Sequence, residues 1–250
     1  MVKQKSKKIR LDELLVSRSL VGTPLEAERL IRAGLVWIQG VCHDKPGEMV
    51  VPELALDLRD PQRDVGRGTQ KLRQAFQAFP ISVQDKVCVD VGSCSGGFTQ
   101  VLLEHGAAKV FAIDSAQGCL DWKLRNDSRV VAMEGQSAQK IDSLPERPQF
   151  AVVDVSLVSL QKILPAVCGW LAPHAQIVAL LKPQYEASKA ELPPGAVITD
   201  PAAHQKICDE FCSWAGRHGL KVEKMVDSPI LGGSGNREFL VYLLPQNQQI

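Results

Sequence analysis

The sequence lacks a large excess of charge of either sign. Its 29 lysines and arginines nearly balance 28 aspartates and glutamates, so the formal net charge over 250 residues is +1. Overall basicity therefore does not indicate a nucleic-acid partner, and the distribution of charge has to decide that question. Residues 1–73 contain 14 basic and 10 acidic residues, which places the basic excess at the front of the chain.

Long apolar runs and a metal-binding cysteine pattern are also missing. The longest apolar runs, such as AQIVALL at 175–181, are far shorter than the roughly 20 residues that cross a bilayer. No apolar stretch follows the basic N-terminus, so we expect no secretory signal, no membrane contact and a cytoplasmic location. Seven cysteines are present, and the only close pair, Cys208 and Cys212, has no second pair beside which zinc would bind. We therefore expect no metal.

The first sixty residues predict two helices and a hairpin. Apolar residues recur at helical spacing in IRLDELLVSRSL and again in LEAERLIRAG, where the apolar stripe begins at Leu25. Thr23 is the expected N-cap of the second helix, with Pro24 at its first position. Residues 35–51 then read as short strands separated by turns at 39–40 and 45–47.

Three pieces of this region occur in a recognisable order and spacing: RLDELL, RLIRAGLVWIQG and KPGEMV. Together they resemble the RNA-binding domain of small-subunit ribosomal protein S-four. The resemblance implies that basic side chains here contact RNA phosphates. The expected RNA-binding residues are Lys7, Lys8, Arg10, Arg18, Arg29, Arg32 and Lys45.

A polar connection divides the chain. The segment PELALDLRDPQRDVGRGTQKL contains two prolines, two glycines and alternating charges, as surface connections between folded units do. We predict a basic tail at residues 1–8, a small α+β RNA-binding domain at 9–60, a linker at 61–70 and a second domain at 71–245.

The second domain alternates strand-like and helical segments. Seven apolar runs, from KVCVDVG to REFLVYLL, predict an open, mostly parallel α/β sheet. The connection around SPILGGSGN is too short for a helical crossover, so one of the last two strands is expected to be antiparallel. This is the seven-stranded, Rossmann-like arrangement that methyltransferases use.

The ends of the first strands carry the cofactor prediction. In VDVGSCSGGFTQ the glycines allow a tight strand-to-helix turn and a close approach to a ligand, but their spacing is not the NAD pattern, and no Walker lysine follows. Asp114 ends the next strand, where a carboxylate can bind the ribose of adenosine. The expected cofactor is S-adenosylmethionine. Its expected ligands are Asp90, Gly92, Ser93, Gly96, Gly97, Phe98, Thr99 and Asp114, with Glu134, Gln136 and Ser137 at the adenine edge.

Charged residues at later strand ends predict the chemistry. Asp154 and Lys182 follow neighbouring strands, and opposite charges beside a cofactor loop indicate a site. With Lys71 and Glu238 they resemble the catalytic tetrad of FtsJ-like ribose 2′-O-methyltransferases. GRGTQKL, DVGSCSGGFTQ, DVSLVSL, LLKPQYE and GNREFL extend the resemblance to the TlyA (hemolysin A) family.

The family resemblance implies S-adenosylmethionine-dependent 2′-O-methylation of RNA, with a cytidine in ribosomal RNA as the target and ribosomal RNA or ribosomal subunits as partners. It implies that Lys182 removes the hydroxyl proton, Asp154 orients Lys182, and Lys71 and Glu238 hold the ribose. Two alternatives stay open: an RNA-binding protein with a decayed methyltransferase fold, and a membrane-lytic hemolysin. Base methylation is a further one, although it would not need two lysines beside the carboxylates.

Overall fold

Two units of different construction follow one another along the chain. The computed structural model describes residues 8–58, 64–188 and 190–246, and it divides the protein into Met1–Arg63 and Asp64–Ile250. Lys7, one of the expected RNA-binding residues, lies outside the described residues.

The N-terminal unit packs two helices against short strands. Its elements are β1 (Ile9–Arg10), α1 (Leu11–Ser17), α2 (Pro24–Arg32), β2 (Val36–Ile38), β3 (Val41–Cys42), β4 (Met49–Val50) and β5 (Leu56–Leu58). Thr23 caps α2 as predicted, since its hydroxyl accepts from the Glu26 N–H at 3.2 Å. Gln39 and Gly40 join β2 to β3 with φ of 50° and 82°, the positive angles that a two-residue hairpin turn requires.

This unit contains more strand than the single predicted hairpin. β4 pairs with β1, and β5 pairs with β2 inside the stretch that reads as a polar connection. The apolar stripe of α2 also differs from the prediction, because Leu25 is 58% exposed while Ala27 and Ile31 are buried. Leu25 precedes Ala27 by two residues, about 200° around a helix, and therefore lies on the opposite face.

The second unit is built on one seven-stranded sheet. Its strands are β6 (Val87–Val91), β7 (Lys109–Asp114), β8 (Val130–Glu134), β9 (Phe150–Val153), β10 (Gln176–Leu181), β11 (Leu220–Asp227) and β12 (Phe239–Pro245). Their order across the sheet is β11-β12-β10-β9-β6-β7-β8, and β12 runs antiparallel to both of its neighbours. The seven predicted strands and the antiparallel strand are confirmed.

Helices cover both faces of this sheet. They are α3 (Gly68–Ala78), α4 (Gly97–Glu104), α5 (Trp122–Arg125), α6 (Leu160–Trp170), α7 (Pro183–Glu186) and α8 (Pro201–Arg217). Side chains of β9 alternate between the two cores: Phe150 and Val152 join the cluster that contains α3 and α4, and Ala151 and Val153 join the one that contains α6 and α8. Strand order reverses between β6 and β9, and ligands of such sheets bind at the carboxyl ends on either side of that point.

Candidate active site

Four charged side chains meet at the carboxyl edge of the sheet. Lys182 Nζ lies 2.6 Å from Asp154 Oδ1, and Lys71 Nζ lies 3.8 Å from Asp154 Oδ2. Lys71 Nζ also donates to Glu238 Oε2 at 2.7 Å. The chain thus brings together two lysines and two carboxylates from four separate elements, and we name these residues the charged cluster.

Local structure fixes each member of this cluster. Asp154 and Lys182 directly follow β9 and β10, and Lys71 lies in the first turns of α3. Glu238 directly precedes β12, and a Cβ on Gly232 would come within 2.4 Å of its carboxylate, so that glycine leaves the room Glu238 needs.

Burial makes the charges of the cluster depend on one another. Lys71, Lys182 and Glu238 are 8%, 7% and 3% exposed. A buried charge is tolerated in a protein when it is paired, and removing one partner leaves the other uncompensated. Burying these charges therefore lowers the stability of the fold, which indicates that the cluster has a function. The same burial excludes water and strengthens electrostatic interactions with a substrate.

Sequence reasoning missed one neighbour of the cluster. Ser156 Oγ accepts a hydrogen bond from Lys182 Nζ at 2.9 Å. The only signal in the sequence is its place two residues after Asp154, since a loop position carries no periodicity that could reveal its direction.

The cofactor side of the site is centred on Asp90. This residue is completely buried, and Thr99 Oγ1 donates to its Oδ2 at 2.6 Å. Burial raises the pKa of Asp90 to about 7, against the opposing effect of the Thr99 hydrogen bond, and the nearby Asp154 and Asp114 charges add to the rise.

Two polar atoms beside this carboxylate have no partner within the described residues. They are Asp90 Oδ1 and Ser93 Oγ, and both are buried. A buried polar atom without a hydrogen bond costs about 1–3 kcal/mol, and such atoms in native proteins commonly await a ligand or water. These atoms fit a cofactor that carries polar groups, as the amino acid part of S-adenosylmethionine does.

Asp114 joins two loops at the ends of β6 and β7. Its Oδ2 accepts from the Cys94 N–H and its Oδ1 from the Ala116 N–H, both at 2.8 Å. An ionised carboxylate has about four acceptor sites, so Asp114 retains capacity for the two hydroxyls of a ribose. Its predicted role on the ribose stays a prediction.

The glycines of the β6–α4 turn adopt the unusual backbone angles that a tight turn requires, and they also permit close contacts within the protein. Gly92 has a φ of 87°, and a Cβ there would lie 2.2 Å from the Asp154 carbonyl oxygen. Gly96, with a φ of 96°, abuts Leu124 equally closely. Gly97 packs against the backbone of α3 near Thr69. These glycines allow neighbouring segments to pack closely. Gly92 in particular lets the β6–α4 turn contact the backbone of Asp154, a member of the charged cluster.

Other expected cofactor residues serve internal contacts. Phe98 is 3% exposed and packs in the core against Gly68. Glu134 accepts from the N–H groups of Leu120 and Cys119 and pairs with Arg125, and these contacts, the Leu120 bond foremost, lower its pKa. The Glu134 carboxylate thus shapes the loop between β7 and α5.

Gln136 and Ser137 lie at the end of β8, where the adenine edge is expected. The Gln136 N–H donates to the Asp114 carbonyl at 3.0 Å, and Ser137 begins a short 3₁₀ turn, Ala138–Lys140. Gln136 therefore contacts Asp114 through the backbone, and the predicted role of both side chains at the adenine edge stays a prediction.

Comparison with known proteins agrees with this geometry. Residues 65–244 match the family model of FtsJ-like methyltransferases, and residues 9–55 match that of the S4 domain. The chain belongs to the FtsJ-like methyltransferase family. Its cofactor is S-adenosylmethionine.

Several relatives match this chain over nearly its whole length. YqxC of Bacillus subtilis is 41% identical over 95% of this chain and 86% of its own length. The 16S/23S rRNA (cytidine-2′-O)-methyltransferase TlyA of Mycobacterium tuberculosis is 38% identical over 98% and 92%. A solved structure from Streptococcus thermophilus, which carries a hemolysin name, is 37% identical with a TM-score of 0.71 and covers 98% of this chain and 92% of that one.

The basic residues of the S4 domain fall into two groups. Arg10 pairs with Asp12 and Arg32 with Glu28, in each case with a closest contact of 2.6 Å. Arg18 donates to the carbonyls of Leu54 and Pro52 and so fastens the chain ahead of β5. A second group has no side-chain partner in the described part of the chain and is exposed; its members are Lys8, Arg29 and Lys45.

Metal and membrane features are absent from the described ranges. No cluster of three or more histidine, cysteine or acidic side chains there could hold a metal ion. No helix among the described residues combines the length and the apolar character that a bilayer crossing demands. Cys208 and Cys212 are free thiols.

Proposed function

We propose that this methyltransferase modifies the ribose 2′-hydroxyl of a cytidine in ribosomal RNA. The main support for this proposal is the charged cluster, in which Lys182 lies 2.6 Å from Asp154 and Lys71 lies 2.7 Å from Glu238. The cluster lies at the same edge of the sheet as Asp90 and Asp114. The name of the Mycobacterium tuberculosis relative, a 16S/23S rRNA (cytidine-2′-O)-methyltransferase, supports the choice of substrate.

Lys182 is the proposed proton acceptor. A ribose hydroxyl is almost wholly protonated near neutral pH, whereas S-adenosylmethionine, when bound, supplies a methyl group already activated for transfer. Lys182 first releases its own proton to solvent; its Nζ then takes the proton from O2′ as the oxygen attacks, and Asp154 Oδ1 stabilises the ammonium group that forms again. General-base help of this kind is worth roughly 10²–10⁴-fold.

Lys71 and Glu238 are proposed to hold the ribose. Lys71 Nζ spans Glu238 and Asp154, so its position is fixed from two sides. A fixed donor and a fixed acceptor on the hydroxyls of the sugar keep O2′ in line with the methyl group, and such alignment removes much of the entropic barrier. A non-catalytic fold would not need to retain three buried charges beside Asp154 in this arrangement.

The S4 domain is proposed to supply RNA affinity. Lys8, Arg29 and Lys45 are exposed and available for phosphate, and each contact releases counterions from the RNA. The partner is ribosomal RNA or a ribosomal subunit, and a partner of this kind supports a cytoplasmic location.

The test is methyl transfer from labelled S-adenosylmethionine to naked ribosomal RNA and to isolated subunits, with modified riboses mapped by mass spectrometry. We expect 2′-O-methylcytidine with the natural protein and none with Lys182→Ala. Cofactor binding without transfer to either substrate would favour the decayed enzyme. Dye release from lipid vesicles by the purified protein would favour the membrane-lytic alternative.

A further inference from the structure

The segment from Asp154 to Ser159, between β9 and α6, has an unusual backbone next to the charged cluster. Leu157 has a φ of 66°, in the left-handed region that side chains other than glycine disfavour, and it is 87% exposed. Its neighbours Val155 and Val158 pack against the core. Because Leu157 is exposed, no burial of its side chain offsets the backbone strain, and contacts elsewhere must fix this segment. We name the segment the β9–α6 loop.

Two side-chain attachments of this loop come from one short stretch of chain, Lys182 to Glu186. At the start of the loop, Lys182 Nζ contacts Asp154 Oδ1 and donates to Ser156 Oγ at 2.9 Å. At its end, Ser159 Oγ donates to Glu186 Oε2 at 2.5 Å. The strained residue lies between these two attachments.

Glu186 holds the end of the loop with both carboxylate oxygens. Besides the bond from Ser159, its Oε1 accepts from the Leu160 N–H at 2.7 Å, in the first turn of α6. Burial raises the pKa of Glu186, and the bonds from Ser159 and Leu160 oppose that shift. A negative charge is also favourable at a helix N-terminus.

The hydrogen bond from Lys182 Nζ to Ser156 Oγ helps to orient the lone pair that Lys182 needs as a base. A neutral amine has two N–H donors and one lone pair. Asp154 and Ser156 occupy two directions around Nζ, so the lone pair of neutral Lys182 is left with the remaining direction. If the β9–α6 loop relaxed, Ser156 would leave Nζ and the lone pair could rotate away from a hydroxyl.

We propose that Glu186 is a positioning residue for Lys182: by fixing the end of the β9–α6 loop it keeps the Ser156 hydroxyl on Nζ and aims the lone pair of the base. The proposal rests on the proposed function, because it assigns Lys182 the role of proton acceptor. Glu186 itself touches neither substrate nor cofactor in this account.

The matched variants are Glu186→Gln and Glu191→Gln. Glu191 also accepts from a backbone N–H and a serine hydroxyl, both of Ser188, but it lies on the surface and contacts no part of the β9–α6 loop. Methyl transfer to ribosomal RNA is measured below the melting temperature of every variant. We expect kcat to fall at least about tenfold in Glu186→Gln, with KM for RNA and Kd for S-adenosylmethionine within about twofold, and Glu191→Gln to match the natural protein.

A double-mutant cycle separates positioning from simple helix capping. Ser156→Ala should lower kcat on its own but add less than about threefold in the Glu186→Gln background, because both changes remove the same contact. A residue that only caps α6 would lower the melting temperature and leave kcat unchanged, which overturns the proposal, as do fully additive effects. If Glu186→Gln does not fold, Ser159→Ala replaces it: that change removes the Ser159 bonds to Glu186 Oε2 and from the Gln161 N–H but keeps the bond from the Leu160 N–H to Glu186.

A measurement independent of activity keeps this proposal distinct from the proposed function. In protein labelled with ¹³C at lysine Cε, the Lys182 signal is identified by its loss in Lys182→Arg. We expect Glu186→Gln to shift that signal and Glu191→Gln to leave it in place. Absence of methyl transfer by the natural protein would refute the proposed function, whereas an unmoved Lys182 signal in Glu186→Gln would refute the positioning role.

Discussion

The two units hold their charged side chains in opposite ways. In the S4 domain Arg32 pairs with Glu28, four residues away and exposed to solvent. In the methyltransferase domain Lys71 pairs with Glu238, 167 residues away, and Asp154 lies beside them in a largely buried cluster. Surface pairs contribute about 0–1 kcal/mol, whereas breaking a buried pair costs about 3–5 kcal/mol. A surface cation can exchange its local partner for an RNA phosphate. The charges of the buried cluster are instead held in one arrangement by the fold, as catalysis requires.

The largest effect is expected from Lys182→Ala, which breaks the buried arrangement. Methyl transfer should fall about 10³-fold, since the proton acceptor is gone. The free energy of unfolding should fall by about 3 kcal/mol, because Asp154 loses the ammonium group 2.6 Å from its Oδ1. The measurements are single-turnover methylation and urea unfolding.

Lys206→Ala is the control for that change. Lys206 pairs with Glu191 and Glu210 on the exposed surface of α8, where solvent screens the charges, so its removal should leave stability and methylation nearly as they were. Equal losses of stability in the two variants would contradict the contrast between buried and surface pairs, and full methylation by Lys182→Ala would exclude it as the base.

Deletion of residues 1–63 should separate the two activities. The cofactor turn and the charged cluster all lie downstream, so the remaining chain should bind S-adenosylmethionine with a Kd within about threefold of the full chain. Methylation of ribosomal RNA should fall about 100-fold at moderate salt, because the phosphate contacts are lost. Calorimetry and a methylation assay over a salt series measure the two quantities. Undiminished methylation at every salt concentration would show that RNA affinity resides in the second unit.

The contrast also explains what could be predicted from the sequence. Asp154, Lys182 and Asp114 follow apolar strands, and parallel strands place their carboxyl ends at one edge, so the topology alone brings them together. Ser156 and Glu186 act through loop contacts that no periodicity encodes.

Short elements and local pairs were the least predictable part. β1 and β4 have two residues each, too few for an alternating pattern, so their pairing could not be read from the sequence. Arg18 and two of the contacts of Glu134 use backbone groups, which are the same in every sequence and therefore give no signal in the pattern of residues. Such side chains look free until the loop around them is known.

The effect of Asp90→Asn on the free energy of unfolding should depend on pH. The folded-state pKa of about 7 lies above the ordinary 3.8, so the folded protein binds the proton more tightly than the unfolded chain does. Stability linked to Asp90 is therefore present below about pH 4 and is lost as pH rises through 7. Asparagine stays neutral at both pH values. The difference in free energy of unfolding, variant minus natural protein, should therefore rise by about 2 kcal/mol from pH 5 to pH 8.5.

Urea unfolding at the two pH values measures this difference. Asp142→Asn, a change at an exposed aspartate of the same domain, serves as the control and should show the same small effect at both. A pH-independent difference for Asp90→Asn would mean that Asp90 is ionised throughout this range.

The smallest effect is expected in the S4 domain, where exposed cations and structural arginines should behave differently. Arg29 and Lys45 have no side-chain partner within the described ranges, so reversing both to glutamate should weaken RNA binding about tenfold and reduce the salt dependence of log K by about two. Arg18→Ala should leave that slope nearly unchanged, because its guanidinium already serves the Pro52 and Leu54 carbonyls; the loss should appear in the melting temperature. A slope lowered by Arg18→Ala and unchanged by the double reversal would mean that the RNA contacts run through the internally bonded arginine.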